Sequence, residues 1–325
     1  MKIVFMGTPD FAVPCLQALL DHGETVVGVF TQSDKPKGRG YQMTPPPVKE
    51  LAVSKGIPVF QPKTLRDEAV FEELKALDPE LIVVVAYGKI LPKNVLDLPK
   101  FGCINVHASL LPKYRGAGPI QWAILNGEKV TGVTTMYMGE GIDTGDMLEK
   151  ASLEIGPDET ADELRDRLSR LGAELLISTV EKAEKGELHP EPQNDAEVTR
   201  APMLTREMSL LDFSKPAAEI HNQIRGLSSW PAAYTVYQGK RMKVYRSRLV
   251  AGKGEPGQLL DPKRFLVACG EGAVELTEVQ YEGSRKMSGE EFLRGIGIDP
   301  RELVLAAQFQ STESILQGVD YLRGD

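Results

Sequence analysis

Little in this sequence of 325 residues points to membranes, metals or disulfides. Its three cysteines, Cys15, Cys103 and Cys269, are widely spaced and odd in number. That excludes a disulfide framework and zinc-type ligand pairs, and predicts reduced thiols in a cytoplasmic protein. The four histidines, His22, His107, His189 and His221, form no ligand cluster, so no metal is expected. Long apolar runs are also missing. Nothing approaches the roughly 18 consecutive apolar residues that cross a bilayer. The stretch Met1 to Gly7 reads as a strand entering a glycine turn, without the apolar core and cleavage site of a signal peptide. No membrane partner is therefore expected. The first turn lacks G-x-G-x-x-G, which argues against a dinucleotide.

What is present is an ordinary globular composition, long enough for two domains, because single cores rarely grow past about 250–300 residues. Lys2–Met6, Phe11–Leu20 and Thr25–Thr31 read as strand, helix, strand, a βαβ unit that opens an α/β domain. Leu81 to Tyr87 is the clearest buried strand, and Ala161 to Lys185 the longest amphipathic helix. Residues 190–206, rich in proline and polar side chains, read as a linker. They separate a first domain over 1–189 from a second over 207–310, whose short strands broken by turns suggest a small barrel or sandwich. A tail over 311–325 has no assignable role. The net charge of −8 argues against a polyanionic partner, but its distribution argues for one. Between Arg200 and Arg264 there are twelve lysines and arginines against five acids, a plausible-sized polyanion footprint on an otherwise acidic chain. The polar loop over 32–47 adds Lys35, Lys37 and Arg39 between glycines, a phosphate-gripping composition on a loop long enough to be functional.

The chemistry concentrates in Phe101 to Pro119. Cys103 to Val106 reads as a buried strand, with Asn105 and His107 two apart and therefore on one face, leading into a turn. The glycine-rich loop Gly139 to Asp146, expected beside the same sheet edge, offers two acids, Asp143 and Asp146, between which residue chemistry does not choose. Histidine takes a proton from an amine near neutral pH, and a carboxylate orients it and holds its charge. A side-chain amide can donate to an oxygen that becomes negative in a tetrahedral intermediate. With no serine, cysteine or lysine nucleophile beside them, these groups point to direct acyl transfer to an amine or water.

Asn105-Val-His107, Ser109-Leu-Leu-Pro112 and Ile142-Asp-Thr-Gly-Asp146 resemble the signature of the 10-formyltetrahydrofolate-dependent formyltransferases. Gly7-Thr-Pro-Asp-Phe11, Asp34-Lys-Pro-Lys-Gly-Arg-Gly40, Phe60-Gln-Pro62, Val85-Ala-Tyr-Gly88 and Arg285 to Phe292 resemble the branch of that family that acts on charged initiator tRNA. The likeness runs from Met1 to about residue 300, with Leu211-Asp-Phe213 replacing the commoner Ile-Asp-Trp. It implies a Rossmann-like N-terminal domain and a C-terminal OB-like β-barrel. It implies catalytic roles for Asn105, His107 and Asp143, the last as first acid of the family's Asp-x-Gly block. Folate contacts fall on Ser109, Leu110, Leu111 and Pro112, with the pterin pocket around Tyr87 and Gly88. For tRNA it implies Lys35, Lys37 and Arg39, and it turns the basic second segment, with Arg206, Lys240, Arg241 and Lys243, into a tRNA track. The expected reaction moves the formyl group of 10-formyltetrahydrofolate to the α-amine of initiator methionyl-tRNA, in a cytoplasmic monomer. Rival readings are a related enzyme whose acceptor is water, an amino sugar or glycinamide ribonucleotide, and a catalytically idle RNA-binding protein on this scaffold.

Overall fold

A computed structural model describes residues 1–296, so the expected tail over 311–325 lies outside the described residues. The chain forms two compact units. Met1–Pro119, Val130–Glu154 and Arg165–Pro202 make the first; Ile120–Lys129, Ile155–Leu164 and, among the described residues, 203–296 make the second.

The first unit contains β1 (Lys2–Gly7), α1 (Val13–Asp21), β2 (Thr25–Phe30), β3 (Lys35–Lys37), β4 (Gln42–Thr44), α2 (Pro47–Ser54) and β5 (Val59–Phe60). α3 (Glu68–Ala76), β6 (Leu81–Val85), α4 (Lys93–Leu96) and β7 (Cys103–His107) follow. β8 (Val130–Tyr137), β9 (Met147–Glu154) and α6 (Ala161–Lys185) from Arg165 on complete it, whereas α5 (Pro119–Leu125) falls in the second unit from Ile120 on. The polar loop expected over 32–47 thus holds a small hairpin, β3–β4. Local chemistry explains several boundaries. Every residue of β6 is buried, as an apolar strand covered on both faces should be. α3 begins where the Asp67 side chain accepts a hydrogen bond from the Ala69 N–H at 2.9 Å.

Seven strands form one sheet in the order β5-β2-β1-β6-β7-β8-β9. The first five run parallel, whereas β8 is antiparallel to β7 and β9 antiparallel to β8. From β1 the chain builds outward through β2 and β5, then crosses back to β6 on the other side. The switch point therefore lies between β1 and β6, where open α/β sheets leave a crevice beyond the strand ends. Gly7 ends β1 there because a Cβ at that position would sit 2.6 Å from the Val85 carbonyl oxygen of β6.

The second unit contains α7 (Ala217–Gly226), β10 (Ala233–Tyr237), β11 (Lys240–Val250), β12 (Leu259–Asp261), β13 (Leu266–Ala268), β14 (Ala273–Tyr281), β15 (Met287–Ser288) and α8 (Gly289–Ile296). The strands form a six-stranded antiparallel sheet, ordered β10-β11-β14-β13-β12 with β15 on β14. Phe213, Ile220, Ile224, Met242, Val244, Phe265 and Phe292 fill its core. A bulge after Val244 inserts one extra residue, so that Val244 lies in the core while the Tyr245 hydroxyl donates to Gln280, which pairs with Lys243. The outward positions of β11 shift with it, so Arg241 and Lys243 before the bulge and Arg246 and Arg248 after it all avoid the core.

His221 on α7 is buried, with Nδ1 2.7 Å from the Ser247 hydroxyl and Nε2 2.7 Å from the Pro157 carbonyl. Burial lowers its pKa from 6.5, more than the Pro157 carbonyl and Asp158 raise it. The unfolded chain therefore binds a proton here that the folded chain resists, so stability contributed at this residue falls as pH drops below about 6.5. His22 in the first unit pulls the other way, its pKa raised by Glu181 and Glu24, so its contribution is present at low pH and lost as pH rises. A His221→Gln variant isolates the first effect: its melting midpoint should approach or overtake that of the parent as pH is lowered from 8 to 5. A pH-independent difference would show that His221 does not titrate on unfolding.

Candidate active site

β7 lies between β6 and β8, with Asn105 opposite Val84 on one side and Met136 on the other. The alternation of a strand puts Cys103, Asn105 and His107 on one face and Ile104 and Val106 on the other. Cys103 is core filling, its thiol pushed up to about 12 by burial, and is no nucleophile. Asn105 is half-buried and its amide has no partner among the described residues. His107 is 7% exposed. Its Nε2 lies 2.8 Å from the Tyr114 carbonyl, which accepts, so Nε2 carries the hydrogen and Nδ1 holds the free lone pair of the neutral ring. Nδ1 faces Asp143 Oδ1 at 3.7 Å.

The loop that supplies Asp143 does not start where the sequence reading places it. Because β8 runs antiparallel to β7, Tyr137 pairs with Ile104 and the Met138 N–H donates to the Cys103 carbonyl at 2.8 Å. The loop therefore leaves from the N-terminal end of β7, roughly 10 Å along the strand from His107. It folds back over the face that carries Asn105 and His107. Asp146 closes the loop at its base, where its carbonyl accepts from the Tyr137 N–H at 3.0 Å and its side chain is exposed. Asp143, and not Asp146, reaches the histidine.

Asp143 adopts a left-handed backbone, φ 52°, and is held by neighbours from two other segments. Its Oδ2 accepts from the Gly116 N–H at 2.9 Å. Its carbonyl accepts from the Gln193 amide at 2.8 Å, and the same amide donates to the Gly145 carbonyl at 2.8 Å. Gly116 is at φ 119°, and a Cβ on it would lie 2.7 Å from the Ala201 carbonyl oxygen. The approach of Ala201 belongs to a wider pattern. Where the sequence predicts a linker, Glu191 exchanges two backbone hydrogen bonds with Met147, and Arg115 exchanges bonds with Thr199 and Ala201. The Tyr114 N–H also donates to the Thr199 hydroxyl at 2.9 Å. This arm ties the loop after β7 to the loop after β8. Gln193 and Thr199 gave no signal in the sequence, since their surroundings read only as polar and proline-rich.

The turn Ser109–Pro112 follows His107 directly. Ser109 and Leu111 are buried. The Ser109 hydroxyl donates to the Lys113 carbonyl at 2.6 Å, and Leu111 packs on Met136 and Met147. Leu110 is half-buried, and the Leu111–Pro112 peptide is cis. At the end of β6, Ala86 and Gly88 are exposed with positive φ, 49° and 80°. The Tyr87 ring turns inward instead, with its hydroxyl enclosed and unpartnered and its carbonyl accepting from Thr8 and Gln32. Lys35, Lys37 and Arg39 are exposed on and between β3 and β4. In β-pairing, Lys35 and Lys37 share one face of that hairpin, and Pro36 and Met43 the other. In the second unit Arg206 and Lys240 are exposed, and Arg241 lies over the Tyr234 ring at 4.2 Å. Lys243 is half-buried on the same strand. No cluster of potential metal ligands occurs among the described residues.

An open α/β sheet with an Asn-x-His strand end facing an acid, followed by an antiparallel β unit, is the frame of a formyl-group transferase. Residues 1–180 match the family model described as Formyl transferase and residues 203–297 that of Formyl transferase, C-terminal domain; the chain belongs to this family. It is 54% identical to the methionyl-tRNA formyltransferase of Alkaliphilus oremlandii over 92% of this chain and 98% of that protein. The methionyl-tRNA formyltransferase of Citrifermentans bemidjiense is 52% identical over 94% of this chain and 96% of its own length. The fold also resembles HypX from Aquifex aeolicus, solved with tetrahydrofolic acid, at TM-score 0.61 and 20% identity. That likeness covers 90% of this chain and 47% of HypX.

Gly116→Ala should strain the backbone and push the residue away from Ala201, drawing its N–H off Asp143. Turnover in formyl transfer is expected to fall about 10²-fold, the typical cost of a 1 Å misplacement at a site. Steady-state kinetics on the folded variant checks it; unchanged turnover would mean that this bond does not matter.

Proposed function

We propose that this chain transfers the formyl group of 10-formyltetrahydrofolate to the α-amino group of initiator methionyl-tRNA, supporting translation initiation. The observation that carries the chemistry is the convergence of Asn105, His107 and Asp143 on one face of β7 with no nucleophilic side chain among them. The family and the named relatives support the donor class and the acceptor. In this reading the folate sits at the crevice beyond β1 and β6. The exposed, positive-φ backbone at Ala86 and Gly88 fits a flat polar ring, and the turn after His107 meets the ligand through Leu110 and main chain, since Ser109 and Leu111 are committed inward. When bound, the folate supplies an activated formyl carbon.

The unpartnered Asn105 amide donates to the formyl oxygen as it becomes negative. The methionyl amine attacks as the free base, at little cost near neutral pH, since α-amino groups titrate near 7.7–8.0. His107 Nδ1 is the nitrogen able to take the amine's proton, because Nε2–H is spent on the Tyr114 carbonyl. Asp143 then faces the proton that Nδ1 carries. The α-amine forms the new C–N bond, the bond from the formyl carbon to the folate nitrogen breaks, and the proton goes to that leaving nitrogen. The tRNA is held through Lys35, Lys37 and Arg39 of the β3–β4 hairpin and through Arg206, Lys240, Arg241 and Lys243 of the second unit. Phosphate contacts of this kind fix position and make affinity depend on salt. The chain acts as a monomer in the cytoplasm; the three buried free thiols support a reducing compartment.

The deciding assay is formyl transfer to charged initiator tRNA, with the folate donor present or omitted and with small amines or water as competing acceptors. Donor-dependent formylation of the tRNA is expected; transfer to small amines alone would shift the reading to another acceptor. His107→Ala should cost about 10²–10⁴-fold in rate with tRNA binding unchanged, and near-normal turnover would remove it from the mechanism. Replacing Lys35, Lys37 and Arg39 together by Ala should lower the slope of log affinity against log salt by about 2–3. An unchanged slope in a filter-binding titration would take the hairpin off the tRNA.

A further inference from the structure

We propose that Gln193 is a positioning residue for the His107–Asp143 pair. The proposal rests on the reading that Asp143 works through His107, and extends it to a residue from a segment that looks like connecting chain. All three groups of the Gln193 carboxamide that face the site are used. Its two N–H groups meet the carbonyls of Asp143 and Gly145, and its Oε1 accepts from Arg115 Nε at 2.9 Å. Reversing the amide would set Oε1 against two carbonyl oxygens and Nε2 against the Arg115 N–H, so the network itself fixes the orientation.

Each bond restrains a different part of the site. Asp143 is in a left-handed conformation that side chains other than glycine adopt at a cost, and an acceptor-side bond to its own carbonyl opposes relaxation of that backbone. Arg115, buried at 7% exposure, lies just after Tyr114, whose carbonyl holds His107 Nε2. Gln193 therefore joins the segment that orients the histidine to the loop that presents the acid. It does so as a neutral group, adding no charge that would compete with Asp143 for the imidazole. Its half-exposed position, with a pairing at Glu191 and Met147 close by in the chain, leaves the fold other anchors for this arm when the side chain is changed.

The test is a double-mutant cycle on kcat for formyl transfer to charged tRNA, using Q193A, Q193E, D143N and the two double variants. Q193A should lower kcat by about 10²-fold with KM for the charged tRNA unchanged. In the D143N background it should cost little more, because the residue it positions has already lost its function. Q193E keeps an acceptor for Arg115 but turns carboxylate oxygens onto two carbonyls; it should be at least as impaired as Q193A. Retained activity in Q193E would show that anchoring to Arg115 is all that matters, and would overturn the proposal. Losses that multiply in Q193A/D143N would overturn it too, as would normal kcat in Q193A. Full activity of D143N would instead remove the acid from the mechanism, and the role of Gln193 with it.

Discussion

The first unit depends on a reversal of strand direction beside β7. Up to β7 the sheet is parallel, and its strand ends open onto one crevice. β8 then runs antiparallel, so its following loop starts at the wrong end of β7 and must travel back along the strand to bring Asp143 to His107. The acid is thus delivered over the face of the sheet, against side chains already fixed by register. A parallel β8 would have placed that loop beside the His107 end directly, and the arm over Glu191 to Ala201 would have had no such span to secure.

Such a loop needs holding, and magnitudes show how it is held. A left-handed non-glycine residue costs about 1–2 kcal/mol. A typical intramolecular hydrogen bond contributes about 0.5–1.5 kcal/mol net. The Gly116 N–H and the two Gln193 N–H bonds together are enough to outweigh that cost, whereas one alone is marginal. Gly145 and Gly116 serve the same end by having no side chain. A Cβ on Gly145 would run into the Tyr137 carbonyl, where the base of the loop closes. The site is therefore precise because several weak restraints converge from segments far apart in sequence.

In the second unit the corresponding device is the bulge in β11. A strict two-residue alternation from Lys243 onward would turn Arg246 and Arg248 toward the core. By inserting Tyr245 as an extra residue between Val244 and Arg246, the bulge keeps Arg241, Lys243, Arg246 and Arg248 out of the core along one strand. Basic charge is carried on a stiff element rather than on loops, so its spacing is set by the strand.

Asn105 and His107 were legible from the sequence because strand periodicity is local: two residues apart on a buried strand share a face wherever the strand lies. The βαβ opening, the fully apolar β6 and the antiparallel short strands of the second unit were legible for the same reason, hydrophobic period and turn chemistry. The β3–β4 hairpin was not, since lysine, proline and glycine make poor strand patterns. The choice between Asp143 and Asp146 could be made in sequence only by likeness to a family; in the fold, Asp143 is the one whose carboxylate faces His107. Gln193 could not be found at all, because a glutamine in a polar, proline-rich stretch carries no periodic signal. Residue order along each element is a local property and survives in the sequence. Which loop crosses which strand, and what clasps it there, is decided by long-range register, and exists only once the sheet has closed on its antiparallel edge.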